Sequence, residues 1–161
     1  MKEIERKFKL RDISILKNLN YIEYKRYFLF LDESVEIRIQ KKGDKYEFER
    51  KLINSQLEAQ KQKFEITKSE FEELNKKSIF SITRKSYLYS KKPEISIKVY
   101  EEKFEGLNRI EVEFSSIEEA KKFKTPSWFG EEITHTKLGK DKQLVQLTPE
   151  EFKTLLGNLK Q

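Results

Sequence analysis

The chain has 161 residues, enough for one domain with a hydrophobic core, and its 39% of charged residues exceeds its 36% of hydrophobic residues. Aromatic residues make up 12% of the sequence, which argues against disorder, and the net charge of +6 favours anionic partners. There is no cysteine and a single histidine, His135, which excludes disulfides, cysteine nucleophiles and histidine metal clusters. We find no membrane span, signal sequence or glycine-rich phosphate loop, and we expect one cytoplasmic domain over residues 1–161 with no membrane partner.

Alternation of apolar and polar residues with a period of two predicts strands along most of the chain. Eight strands are predicted, at residues 2–10, 24–31, 35–41, 45–51, 60–66, 79–90, 94–101 and 107–114. Gly43-Asp44 predicts a tight hairpin turn between the third and fourth strands. Helices are predicted at 13–19, after a capping box at Thr67, at 117–123 and at 149–156. Eight antiparallel strands with few helices indicate a closed barrel or a strongly curled sheet.

The first strand carries the strongest functional signal. Because side chains alternate between the two faces of a strand, Glu3, Glu5 and Lys7 share one face. Glu111 and Glu113 share a face of the last predicted strand in the same way. Two carboxylates on one face offer the oxygen ligands that Mg²⁺ or Mn²⁺ prefers, and a cation beside a lysine suits a phosphate chain. The alternative is an ordinary solvated sheet face, on which Glu and Lys also alternate.

Nearly every predicted strand has one apolar face and one charged face. On the seventh strand, for example, Ile95 and Ile97 alternate with Ser96 and Lys98. A barrel then has two options: charges outside, or charges inside with helices covering an apolar outer wall. The second option would create a binding site for a polyanion and a metal ion. The basic residues alternate with glutamates and form no continuous patch, which argues against a nucleic-acid partner.

Several motifs occur in an order that is typical of a known family. They are the E-x-E-x-K start, Arg38 before Gly43-Asp44, then Lys51, Lys61-Gln62-Lys63-Phe64-Glu65, Ile82-Thr83-Arg84 and Ile110-Glu111-Val112-Glu113. Over nearly the whole chain this set resembles the CYTH domain of the triphosphate tunnel metalloenzymes. The resemblance implies an α+β, mainly antiparallel fold: an eight-stranded closed β-barrel that forms a tunnel, with a charged lumen and a few helices packed outside. It also implies hydrolysis of a triphosphate in that tunnel, most simply inorganic triphosphate, with Mg²⁺ or Mn²⁺ as cofactor.

The same resemblance assigns roles to individual residues. The implied metal ligands are Glu3, Glu5, Glu111 and Glu113. The implied phosphate-binding residues are Lys7, Arg38, Lys51, Lys61 and Arg84. Glu65, which would support the metal or orient the attacking water, and Lys7 are the implied catalytic residues. A small-molecule triphosphate or polyphosphate is the expected partner, and a homodimer is compatible with the resemblance.

Five positions depart from the family pattern. Gln40 and Ser86 stand where the family usually has arginine, Lys63 and Lys98 stand where it often has an acid, and its C-terminal tyrosine is replaced near Gly139. Two bases are thus lost and two acids are replaced by lysines. The alternative function is therefore a catalytically weakened or inactive tunnel that binds polyphosphate or a phosphorylated ligand. Adenylate cyclase activity, also known in this family, would need a purine pocket, and no sequence feature indicates one.

Overall fold

A computed structural model of the chain describes residues 2–55 and 57–159. The strands are β1 (Lys2–Leu10), β2 (Tyr21–Leu31), β3 (Val35–Lys42), β4 (Lys45–Ile53), β5 (Glu58–Ile66), β6 (Phe80–Lys91), β7 (Glu94–Tyr100), β8 (Asn108–Glu113) and β9 (Phe129–Glu132). The α-helices are α1 (Lys68–Asn75), α2 (Ile117–Lys122), α3 (Asp141–Leu144) and α4 (Pro149–Gly157), and short 3-10 helices span Ile13–Leu16 and Glu102–Phe104. Met1, Gln56 and residues 160–161 of the predicted domain lie outside the described residues.

Eight antiparallel strands close into a barrel, as predicted. The strand order is β5-β4-β3-β2-β6-β7-β8-β1, and the ring closes because β1 also pairs with β5. Glu3 of β1 lies opposite Ala59 of β5, while Lys7 lies opposite Glu111 of β8. The short strand β9 continues along the same edge of β1 beyond its pairing with β5, where Phe8 lies opposite Glu132. This ninth strand was not predicted, because four residues are too few to show a period.

The apolar faces of the strands point outward on the barrel wall and are covered by helices. One cluster contains Ile4 and Phe8 of β1, and α2 packs on it through Ala120. A second cluster contains Ile39 of β3, and α1 packs on it through Phe71. Each helix buries apolar surface of the barrel wall, and this burial is the main favourable contribution to folding with the apolar strand faces outward. The charged faces therefore line the lumen, which confirms the barrel with a charged lumen that the family resemblance implies.

A third apolar cluster fills one end of the barrel. Phe28 of β2 and Ile82 of β6 lie on the inward faces of their strands and are almost completely buried. Leu144 of α3 and Phe152 of α4 pack against them. Because Leu144 and Phe152 pack on inward-facing residues of the strands, α3 and α4 lie across that end of the barrel. The predicted packing of helices outside the barrel is therefore correct for α1 and α2 on the wall, whereas α3 and α4 cover one end of the barrel.

The predicted helices are present, with adjusted ends. The predicted capping box at Thr67 begins α1. The predicted last helix is α4, and it also begins with a capping box, at Thr148. The helix predicted at 13–19 is a single 3-10 turn at Ile13–Leu16, and α3 was not predicted. In the hairpin between β3 and β4, Gly43 adopts a φ of 58°, which favours glycine. None of the helices within the described ranges reaches the length and hydrophobicity that a membrane span requires.

Candidate functional site in the barrel lumen

The lumen forms a cavity of about 380 Å³ lined mainly by charged side chains. Eleven basic and eight acidic side chains line it, which leaves a net charge of +3 when all are ionised. The inward face of every barrel strand contributes at least one charged or polar residue, because each strand alternates apolar and charged positions. A cavity with this excess of positive charge attracts anions and focuses their approach.

A cluster of three carboxylates lies where β1 meets β8. Glu3, Glu5 and Glu113 each place an oxygen within 4.8 Å of the others. The register explains this grouping, because Glu5 lies opposite Glu113 and Glu3 is the next inward residue of β1. Glu94 of β7 lies opposite Glu113 on the other side. Three oxygen donors at this spacing fit a hard divalent cation such as Mg²⁺ or Mn²⁺.

The electrostatic environment differs between these carboxyl groups. Burial, together with the negative charges of Glu5, Glu3 and Glu94, raises the pKa of Glu113 to about 8 from its usual 4.5. Burial alone would also raise the pKa of Glu3, but the charges of Lys51 and Lys61 and their hydrogen bonds lower it. A proton on Glu113 therefore relieves the repulsion between like charges at neutral pH, a role that a divalent cation would also fill.

Three predicted phosphate-binding lysines contact this carboxylate cluster. Lys51 Nζ lies 2.8 Å from Glu3 and 3.5 Å from Glu5, and Lys61 Nζ lies 3.0 Å from Glu3. Lys7 Nζ lies 3.2 Å from Glu5. Each ammonium group thus sits between a carboxylate and the cavity. The structure brings these lysines together with three of the predicted metal ligands.

Arg38 lies in a neighbouring network of buried charges on β3 and β4. Its guanidinium donates to Glu49 at 2.7 and 2.9 Å and to Glu36 at 2.6 Å. Gln40 is 1% exposed and donates to Glu47 and Glu49, and its amide oxygen accepts two hydrogen bonds from Arg26. At this departure position, Gln40 therefore links Arg26 to Glu49. An arginine could not do so, because a guanidinium has no acceptor for the hydrogen bonds of Arg26.

Arg84, another predicted phosphate-binding residue, belongs to a cluster centred on Asp141. The Asp141 carboxylate accepts hydrogen bonds from Arg26 at 2.8 Å, Arg84 at 3.2 Å and Arg109 at 2.9 Å, and from the Tyr100 hydroxyl at 2.6 Å. Burial would raise the pKa of Asp141, but the charges of the arginines hold it well below its usual range. Asp141 is consequently an anion fixed inside the lumen.

The position of Asp141 depends on the turn before α3. A Cβ added to Gly139 would collide with the carbonyl oxygen of Ile133, so only glycine fits this backbone. The predicted departure near Gly139 thus has a structural reason. A tyrosine there would require a different path of the chain into α3.

Two predicted site residues are placed differently from the prediction. Glu111 lies in the lumen but outside the carboxylate cluster of Glu3, Glu5 and Glu113. Its carboxylate instead accepts hydrogen bonds from Arg109 at 2.6 and 3.1 Å. Glu65 is exposed and does not line the cavity. It lies four residues beyond Lys61 on β5, about 13 Å further along the strand from the contact of Lys61 with Glu3. The predicted role of Glu65 beside the metal or the attacking water is therefore not retained.

The remaining departure positions contact each other or an acid on a neighbouring strand. Lys98 Nζ donates to Ser86 Oγ at 2.7 Å across the β6–β7 pair. Burial lowers the pKa of Lys98 to about 8. Lys63 Nζ lies 3.8 Å from Glu47. Both lysines line the cavity, so lysines at these two positions make the lumen more basic than acids would.

Sequence reasoning left several lumen residues without a role. Arg26, Glu36, Glu49 and Arg109 occupy inward positions of strands, so the period-two pattern carried the signal that places them. Asp141 had no such signal, because it follows a loop and begins a helix of four residues. Only the folded structure places its carboxylate among the arginines.

Comparison with known proteins gives three informative similarities, whereas no family model matches the chain. An inorganic triphosphatase of Nitrosomonas europaea is 29% identical over 153 residues, which are 92% of this chain and 100% of that protein. A crystal structure described as an inorganic triphosphatase has 28% identity and a TM-score of 0.63, and the match covers 91% of this chain and 96% of that one. A putative adenylate cyclase from Bacillus halodurans has the same fold, with 18% identity and a TM-score of 0.55 over 74% of this chain and 85% of that one.

Proposed function

We propose that this chain, a member of the triphosphate tunnel metalloenzyme (CYTH) family, hydrolyses inorganic triphosphate in a reaction that depends on Mg²⁺ or Mn²⁺. The single observation that carries the proposal is the lumen itself. It combines three clustered carboxylates with convergent lysines and arginines in one cavity of about 380 Å³. The similarity to inorganic triphosphatases at 28–29% identity over more than nine-tenths of the chain supports the choice of substrate.

The carboxylates of Glu3, Glu5 and Glu113 would hold the divalent cation. Their oxygens lie within 4.8 Å of one another, and their chemistry suits a hard cation. When bound, such an ion polarises phosphate oxygens and neutralises the charge that develops during phosphoryl transfer. Glu111 stands outside this ligand set because Arg109 occupies its carboxylate.

Basic side chains would bind the phosphate chain. Lys7, Lys51 and Lys61 contact the metal-binding carboxylates on one side and face the cavity on the other. Arg38 and Arg84 are held rigidly by buried carboxylates and line the same cavity. Fixed cations of this kind stabilise the transferring phosphoryl group without reorganisation at the moment of reaction.

The net reaction adds water across a phosphoanhydride bond and yields pyrophosphate and orthophosphate. Phosphoryl transfer asks a protein mainly for positioning and charge stabilisation, which are the two properties of this lumen. The lysines orient the triphosphate, and the arginines compensate its negative charge. The apolar cluster at the barrel end excludes bulk water from that side.

The test is phosphate release from inorganic triphosphate with Mg²⁺ and, separately, with Mn²⁺. The parent, Glu5→Ala and Glu23→Ala would be compared, since Glu23 is an exposed residue of β2 that lies outside the cavity lining. We expect metal-dependent activity in the parent and in Glu23→Ala, and a loss of at least a hundredfold in Glu5→Ala. Absence of metal-stimulated release from triphosphate in the parent would overturn the proposal.

A second candidate function is a tunnel that binds polyphosphate or a phosphorylated ligand without turnover. The presence of both Lys63 and Lys98 in the cavity lining favours it, because extra lysines strengthen anion binding without adding a metal ligand. Tight binding of triphosphate by calorimetry, combined with no hydrolysis under any metal condition, would establish this function instead.

A further inference from the structure

The carboxylate of Asp141 occupies a site with the chemistry of a phosphate-binding cradle. Four neighbouring strands, β2, β6, β7 and β8, each direct one donor to it, from Arg26, Arg84, Tyr100 and Arg109. Each carboxylate oxygen accepts two of these hydrogen bonds. Convergent guanidinium groups are the usual means by which proteins bind carboxylate and phosphate. The chain therefore fills an oxyanion site with its own side chain.

We propose that Asp141 is a resident anion that competes with the phosphate groups of triphosphate for these arginines, and thereby weakens anion binding at this end of the lumen. The inference rests on the proposed function for the identity of the anion. It adds an affinity-setting residue on α3, outside the metal-binding and lysine groups.

Tight packing holds the backbone on both sides of Asp141. Leu144, three residues further on α3, is 0% exposed, and both Leu144 and Val145 belong to the apolar cluster at the barrel end. On the other side, Gly139 packs against the backbone of Ile133 with no space for a side chain. Because both flanks are fixed, an incoming phosphate shares the arginines with Asp141 and cannot simply displace it.

Arg84 supplies a donor for the incoming anion. Its side chain lines the cavity and is 3% exposed, and its Nε is buried without a hydrogen-bond partner among the described residues. Buried donors are nearly always paired in native structures, so an unpaired one on a side chain that lines a cavity points to a ligand atom. A phosphate oxygen on Nε would sit on the same guanidinium that holds Asp141 through Nη1.

Two anions on one guanidinium repel each other strongly, because the interaction of unit charges at this range stays substantial in a partly desolvated lumen. Replacing Asp141 by asparagine removes this repulsion and keeps an oxygen that accepts hydrogen bonds. We expect Asp141→Asn to bind triphosphate about tenfold more tightly than the parent. Product inhibition by pyrophosphate should become stronger by a similar factor.

The experiment is calorimetric titration of inorganic triphosphate without divalent metal, so that no turnover occurs. Asp141→Asn is compared with the parent, with the charge-retaining Asp141→Glu, and with Asp44→Asn, which removes the same charge from the exposed turn after β3. A tenfold gain in Asp141→Asn alone supports the inference. Unchanged or weaker binding in a folded Asp141→Asn would overturn it, since that result would make Asp141 a positioning residue.

A second measurement avoids reliance on a variant that folds poorly. In the parent protein, the ¹⁵Nε resonance of Arg84, assigned with Arg84→Lys, should shift when triphosphate is added. No shift at saturating triphosphate would also overturn the inference, as would a parent and an Asp141→Asn that both fail to bind triphosphate. If the parent binds triphosphate but releases no phosphate with metal, the proposed function fails while the affinity ratio still decides this inference.

Discussion

Glu5 of β1 lies directly opposite Glu113 of β8, and both carboxylates point into the lumen. Like charges at opposed positions of an antiparallel pair destabilise a sheet. Here Glu94 adds a third carboxylate opposite Glu113 on β7. The chain therefore keeps three like charges close together, and the proposed divalent cation would relieve their repulsion.

The first prediction concerns Glu113→Gln in the absence of divalent metal. The pKa of Glu113 is about 8 in the fold and 4.5 ordinarily, so the folded state binds its proton more tightly than the unfolded state. Stability is therefore lost as the pH rises from about 4.5 through about 8, and glutamine avoids this loss. At pH 9 we expect the variant to be about 1–2 kcal/mol more stable than the parent by urea unfolding, since partial solvation reduces the effect.

The same variant should lose the response to metal. Mn²⁺ should raise the melting temperature of the parent by binding only the folded state, and it should raise that of Glu113→Gln much less. Glu23→Gln, at an exposed position, should behave as the parent does in both experiments. An equal Mn²⁺ response in parent and Glu113→Gln would mean that Glu113 is not a ligand.

The second prediction concerns the buried network around Arg38. Arg38→Gln leaves Glu36 and Glu49 without their guanidinium partner, and both carboxylates are almost fully buried. Removing one member of a buried ion pair costs about 3–5 kcal/mol, so the urea midpoint should fall sharply at pH 7.

Two variants calibrate that result. Arg50→Gln, at an outward position of the neighbouring strand β4, should change stability by less than about 0.5 kcal/mol. The double variant Arg38→Gln/Glu36→Gln should recover part of the loss, because one of the two uncompensated charges is gone. A loss below about 1 kcal/mol in Arg38→Gln would contradict the ion-pair network of Arg38 with Glu36 and Glu49.

The third prediction is a pH dependence of triphosphate binding. Burial lowers the pKa of Lys98 to about 8, so this lysine loses its charge as the pH rises above about 8. An anion favours the protonated form, and its affinity should therefore fall with pH by up to about tenfold per pH unit for this one proton. Calorimetry between pH 7 and 10 would measure the slope.

Lys98→Arg should make that slope shallower, because arginine stays protonated over this range. Lys45→Arg, at the exposed start of β4, should leave the slope unchanged. Parent and variants are compared at each pH, so that the ionisation of triphosphate cancels. Identical slopes in the parent and Lys98→Arg would mean that the charge of Lys98 does not contribute to triphosphate binding.

The barrel could be read from the sequence because a period of two survives almost any tertiary context when one strand face is apolar and the other is charged. The predicted strand 2–10 matches β1 in full, and the other seven strands are off by at most three residues at an end. The grouping of Glu3 and Glu5 follows from the same period, and their meeting with Glu113 follows from the pairing of the first and last barrel strands.

The remaining parts of the site depend on contacts that carry no local period. Glu65 continues the inward series of Lys61 and Lys63, but the strand carries it beyond the cavity to an exposed position. Alternation fixes the face of a residue and leaves its depth along the barrel undetermined. Asp141 enters the lumen from a short helix whose placement depends on packing at the barrel end.

The last prediction tests the turn that delivers Asp141. Gly139→Ala should place a methyl group against the carbonyl oxygen of Ile133 and lower the melting temperature by about 5 °C or more. Gly157→Ala is the matched control, since a Cβ there meets nothing within 4 Å and alanine favours the helix. Because Asp141 follows Gly139 by two residues, the same variant should also alter triphosphate affinity in metal-free calorimetry. Equal melting temperatures for the two alanine variants would contradict the close contact at Gly139.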